Sequence, residues 1–149
     1  MRSLKRIVSI GILSLALFGG CKQAPVTVAG VPVDHPATTV AVNAVQRAET
    51  VSVAIGTWMI GARREACHGV ILDVLPLPEP CRTATNILTV YATTMTPAVL
   101  TAITGARNGI LAVEAADTPA ARTTLDLALV ALQQALTTAQ TYAQAHGYQ

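Results

Sequence analysis

The sequence predicts an all-α fold, an antiparallel bundle of three long helices, or four if Pro97 breaks the second. Three observations lead there. Apolar residues recur at three- and four-residue spacing through three long stretches. The stretches are separated by proline and glycine beside threonine, aspartate or histidine, which is the chemistry of helix caps. Aromatic residues are only 3% of a chain that is 52% hydrophobic, so the core must be made of Val, Ile, Leu and Ala, which suits close-packed helices.

The first helical stretch runs from Pro36 to Cys67. Val40, Ala44, Ala48, Val51, Ile55, Trp58, Met59 and Ala62 fall along one face of it. Pro36 is tolerated in a first turn, and Gly69 after His68 takes the left-handed conformation that ends a helix. The second stretch, about Pro80 to Ala116, carries Ile87, Leu88, Tyr91, Met95, Val99, Ile103, Ala106, Ile110 and Val113 on its apolar face. Its outer positions Thr89, Thr93, Thr101 and Thr104 favour strand over helix, but the long apolar period of three and four outweighs them. Thr96-Pro97 predicts a kink or a break. Asp117-Thr118-Pro119 caps the third stretch, Pro119 to His146, in which Leu125, Leu129, Leu132, Leu136, Ala139 and Ala143 share one face. The turn before it is so short that the second and third stretches should lie antiparallel.

The segment before these helices has a different character. Arg2, Lys5 and Arg6 precede an uncharged run from Ile7 to Phe18, and Gly19-Gly20-Cys21 follows. A basic start, a short apolar run and small residues at a cut site form the pattern of an export signal. Twelve residues, Ile7 to Phe18, rise only about 18 Å as a helix, too short for a hydrocarbon core of about 30 Å. With Cys21 after two glycines, the segment resembles the signal of bacterial lipoproteins, with Phe18 where leucine is usual. The resemblance implies lipid attachment at Cys21 and removal of residues 1–20. Lys22, where aspartate in that family tends to retain proteins at the inner membrane, implies an outer-membrane lipid anchor facing the periplasm. Residues 21–35, with Pro25, Gly30 and Pro32 and with Pro36 directly after, read as a lipidated cysteine and an extended tether with at most one short strand at Val26 to Val28. Residues 36–149 form the bundle domain.

Cleavage before Cys21 leaves 129 residues, enough for one domain with a real core. Seven basic residues then face eight acidic ones, a formal net charge of −1. The mature part holds no basic run, which argues against nucleic acid as a partner. Cys67 and Cys81 remain as an even pair in an oxidising compartment. Residues 68 to 80, thirteen in all, lie between them, and closing such a loop is worth about 3 kcal/mol in the chain-entropy picture. The alternative is a metal site of Cys67, His68 and Cys81, which lacks a fourth nearby ligand and sets two ligands awkwardly side by side.

The connector Gly69 to Glu79 is too apolar for an ordinary surface loop, because Ile71, Leu72, Leu75 and Leu77, with Val70 and Val74, all need a place. Either these side chains plug the end of the bundle or they form a contact surface at the membrane-distal end. Each helix also carries a minor apolar stripe: Val42, Val53 and Ile60; Leu100 and Leu111; Leu127 and Val130. Such residues are wet in a closed monomer and covered in a homo-oligomer or against lipid.

Catalytic patterns are not found. Ser52 sits mid-helix without a nucleophile elbow. Gly56 and Gly61 have phosphate-loop spacing, but Ala62-Arg63 stands where Lys-Ser/Thr belongs. Gly105 and Gly109 have a helix-packing spacing. Glu49, Glu65, Glu114, Asp117 and Asp126 read as solvated charges at helix flanks, and nothing in the sequence brings a histidine to Glu114 and Asp117. Glu65 and His68 make one Glu-x-x-His pair, without the second that a di-metal bundle needs. The expectation is therefore a non-enzymatic structural or interaction module with no cofactor, no metal and no catalytic residue. Its partners are the membrane through the lipid and either a homo-oligomer or an envelope protein. Two alternatives differ in kind: a phage- or plasmid-encoded exclusion lipoprotein that blocks a receptor, and a small-ligand or metal binder using Met59, Met95 and a histidine in the bundle core.

Overall fold

The computed structural model describes residues 26–70 and 76–149. Its helices are α1 (Pro36–Ala66), α2 (Cys81–Val90), α3 (Thr96–Ala115) and α4 (Pro119–Ala145). A π-helical turn, Tyr91–Met95, joins α2 to α3 without interruption, so three long rods form the bundle. The boundaries expected from the caps are met to within a residue or two. His35 caps α1 by accepting the Ala37 N–H on Nδ1, and Thr118 caps α4 by accepting the Ala121 N–H. At the end of α4, Gly147 takes a φ of 100°, and the Tyr148 and Gly147 amides bond back to Ala143 and Gln144. That pattern is the Schellman arrangement, which needs a residue free to adopt positive φ. It turns Tyr148 back onto Trp58, with ring centroids 5.5 Å apart.

Pro97 bends the helical hydrogen-bond ladder but does not break it. A proline inside a helix lacks an N–H, and its ring crowds the carbonyl four residues back. The chain meets this by widening one turn just before it. The Thr96 N–H then bonds to the Tyr91 carbonyl, and the Thr96 hydroxyl donates to the same oxygen at 3.2 Å. The Tyr91 ring points inward, and its hydroxyl donates to the Ser52 carbonyl of α1.

The core follows the expected faces of the second and third rods closely. Tyr91, Val99, Ile103, Ala106, Ile110 and Val113 are buried on one, and Leu125, Leu132, Ala139 and Ala143 on the other. The expected face of α1 holds from Ala48 to Met59 but not at its start. Val40 and Ala44 are exposed, while Ala41, Val42 and Val45 are buried. The cause is a hairpin where an extended tether with at most one short strand, at Val26 to Val28, was expected. Strands β1 (Thr27–Val28) and β2 (Val31–Pro32) pair antiparallel, and Ala29 and Gly30 both take positive φ, as a two-residue I′ turn demands. Val28 and Val33 enter the core from this hairpin, and Val28 lies with Val42, Val45 and Ile110. The covered side of α1 is rotated accordingly. Among the minor-stripe residues, Val42 is thus buried and Leu111 half-buried, whereas Val53, Ile60, Leu100, Leu127 and Val130 are exposed.

Close approach of α3 and α4 depends on Gly109. A Cβ added there meets the Leu125 Cα at 3.0 Å, a backbone atom that cannot step aside alone. Gly61 on α1, by contrast, has nothing within 4 Å of such a Cβ. The same substitution should therefore act in opposite directions. Gly61→Ala should raise stability by about 1 kcal/mol through helix propensity. Gly109→Ala should lower it by about 1–3 kcal/mol through overpacking, despite the same propensity gain. Thermal melts of the two variants followed by circular dichroism check both signs.

Candidate functional site

The two ends of the bundle are built differently, and each collects residues that carry chemistry. At the end where α1 begins, the α3–α4 turn meets the α1 cap. His35 is the hub. Its backbone N–H donates to Glu114 Oε1 at 3.3 Å, its Nδ1 accepts from Ala37, and its Nε2 lies 3.0 Å from Asp117 Oδ2. The Thr38 hydroxyl, on a fully buried residue, also bonds to Glu114 Oε1, and Arg122 forks onto Asp117. Hydrogen bonding from Thr38 holds the Glu114 carboxyl below the usual carboxylate range, against some desolvation. Arg122, with His35 adding its share, holds Asp117 at about 2.

The histidine that the sequence did not bring to Glu114 and Asp117 is thus His35, 79 positions from Glu114. Its geometry argues for fastening and against proton transfer. Nδ1 spends its lone pair on the cap and Nε2–H its proton on Asp117, so neither ring nitrogen is free to act as a base. Among the described residues no group of three or more His, Cys, Asp and Glu is placed to hold a metal ion. The cluster clips α1 to the α3–α4 turn.

At the opposite end the sulfurs of Cys67 and Cys81 lie at disulfide distance, 2.07 Å apart. They join the residue after α1 to the first residue of α2. Beside them an apolar recess of 240 Å³ opens between α1, α2 and the end of α4. Trp58, Met59 and Ala62 line it from α1, Ala84 and Ile87 from α2, and His146 from the end of α4. Ala66 and Pro80 reach it from positions next to the two cysteines. Met59 and His146, two of the residue types considered for ligand binding, therefore meet here, whereas Met95 lines a separate shallow hollow with Tyr142. Leu77 of the apolar connector is half-buried, while Ile71, Leu72 and Leu75, like Cys21, lie outside the described residues. Ser52 is half-buried, with its carbonyl taken by Tyr91.

Other carboxylates among the described residues lie at the helix flanks. Glu49 pairs with Arg107 across α1 and α3, and Glu79 bonds Arg82 and Thr83 at the start of α2. Glu65 and Asp126 are exposed. No protein-family model matches this chain, and no curated protein or solved structure matches it either.

Two measurements follow from the two ends. With both cysteines bridged, the protein should resist alkylation until reduced, and mass spectrometry should show a gain of two hydrogens on reduction. Two reactive thiols before reduction would refute the bridge. At the other end, carboxylates with lowered folded-state pKa contribute stability that is present above their unfolded values and is lost as pH falls through the folded ones. For Asp117 that loss begins near the ordinary value of 3.8 and continues toward about 2, and for Glu114 it begins near 4.5 and runs below it. Melting temperature should fall over this range, and less steeply in the Glu114→Gln, Asp117→Asn double variant.

Proposed function

We propose that this chain is a lipoprotein, anchored through Cys21 to the outer membrane and facing the periplasm. Its helical domain acts as a non-enzymatic interaction module. The observation that carries the reading is the polarity of the rod. The chain enters the bundle at the α1 start, where Val33 N–H bonds to the Val26 carbonyl and draws both strands of the hairpin together. Cys21 stands five residues before Val26, a span of at most about 18 Å. The 31 residues of α1 then carry the chain about 46 Å further, to the cysteine pair and the apolar recess. A lipid at Cys21 leaves that end the farthest from the membrane.

A second reading has one observation in its favour. The recess beside the cysteines is apolar, with His146 and Thr83 as its polar groups, and suits a small uncharged ligand. Its volume lies below the usual 300–1,000 Å³ range of ligand pockets, so the anchored interaction module is preferred.

Cys21→Ser tests the anchor. Wild-type cells fed a clickable fatty acid should label the protein and retain it in the outer-membrane fraction. The variant should lose the label and accumulate as precursor or soluble protein, because stable anchoring takes two acyl signals. Labelling that survives the substitution would refute the assignment. For the ligand reading, Ala84→Trp fills the recess, and unchanged binding of an apolar fluorescent probe to that variant would dismiss it.

A further inference from the structure

The outer surface of α3 and α4 is unlike the rest of the molecule. No charged side chain occurs from Thr83 to Ala106, nor from Leu127 to Ala145. The two rods lie side by side, with Gly109 against Leu125, so their uncharged stretches form one face. The 35-residue rod Cys81–Ala115 is long and apolar enough to cross a membrane, yet only 17% of its most apolar window is buried. Leu127 is 66% exposed on the neighbouring rod.

Part of the polar surface of these helices is spent within the helices themselves. The hydroxyls of Thr89, Thr93 and Thr104 donate to carbonyls four residues back at 2.8–2.9 Å, and those of Thr124 and Thr138 do so at 3.0 and 2.9 Å. Drying the face therefore orphans no donor at these threonines, where an unpaired donor is the usual penalty on burying polar surface. Gly105 adds a different kind of observation. Glycine inside a helix costs about 1 kcal/mol relative to alanine, and nothing in the monomer comes within 4 Å of the Cβ it lacks. An incoming helix would use the space.

We infer that this face docks a second copy of the same chain. A surface without charge meets its own duplicate without like-charge repulsion and offers nothing to attract a strongly charged partner. Depletion of charge at the centre is also the composition of protein interfaces. A bilayer is the poorer occupant, since interfacial helices hold to lipid through basic side chains and aromatic anchors, and the face has no basic residue, tryptophan or phenylalanine. The size fits. The 19 uncharged residues of α4 span about 28 Å, and two helices side by side are about 20 Å wide. The flat footprint of about 560 Å² grows with the relief of the helices toward the roughly 800 Å² per partner of a standard interface. With both copies anchored in one membrane, as proposed above, the two-fold axis runs along the rods. It then sets α3 of each copy against α4 of the other, antiparallel.

Sedimentation equilibrium of the full lipidated chain in density-matched detergent tests this without depending on which membrane holds it. Wild type should sediment at twice the chain mass. Gly105→Leu and Ala131→Arg, made separately at open positions on the face, should each weaken association about 100-fold without lowering the helicity or melting temperature of the monomer. Thr57→Arg, exposed on α1, should leave the dimer unchanged. A wild type that stays monomeric overturns the inference, and so does a dimer that survives both substitutions on the face.

Discussion

The structure depends on how closely its helices approach. With few aromatic side chains to fill space, a bundle of this composition reaches interior density only if backbones come near one another. Small residues at the seams permit that: Ala41, Ala48, Ala106, Ala139 and Ala143 are buried without exposure, and Gly109 lets α3 touch the Leu125 backbone. The larger residues, Ile55, Val99, Ile110 and Val113, fill the volume between. Among the described residues no buried side-chain nitrogen or oxygen lacks a hydrogen-bond partner. The polar groups that do reach inward, such as the Thr38 and Tyr91 hydroxyls, are each assigned an acceptor.

Such packing sorts the polar chemistry to the ends. One end is held by an ionic and hydrogen-bonded clip, in which His35 ties the α1 start to Glu114 and Asp117. The other is held where Cys67 meets Cys81. Between them the sides differ. α1 carries charges at Arg47, Glu49, Arg63, Arg64 and Glu65, while long stretches of α3 and α4 carry none. A rod with distinct ends and distinct sides can be oriented by an anchor at one end and still offer a defined side to a neighbour.

The rods were legible in the sequence because their signal is periodic and local. Leu125, Leu129, Leu132 and Leu136 announce one face of α4, and the Thr118-Pro119 and Gly147 signals mark its ends. What escaped was non-local or short. The hairpin has only two residues per strand and turns on Ala29-Gly30 in place of the usual Asn-Gly, so no strand period could reveal it. Because it was missed, the buried face at the start of α1 was set on Val40 and Ala44, when Val42 and Val45 are the ones covered. The His35 clip joins residues 79 positions apart, which no spacing rule connects. The kink or break expected at Pro97 takes the form of a local change of helix type, which the proline announced as a site of strain without naming its resolution. The recess needs three rods to form, and only its residue types, Met59 and a histidine, were visible beforehand.

The central claim is that an anchored rod stands with its cysteine end away from the membrane. Neutron reflectometry on the lipidated protein bound to a supported bilayer measures that height directly. An upright rod gives a protein layer about 46 Å thick or more, from the 31 residues of α1. A layer of about 20–25 Å, the width of two helices side by side, would mean that the bundle lies flat on its side and would contradict the account.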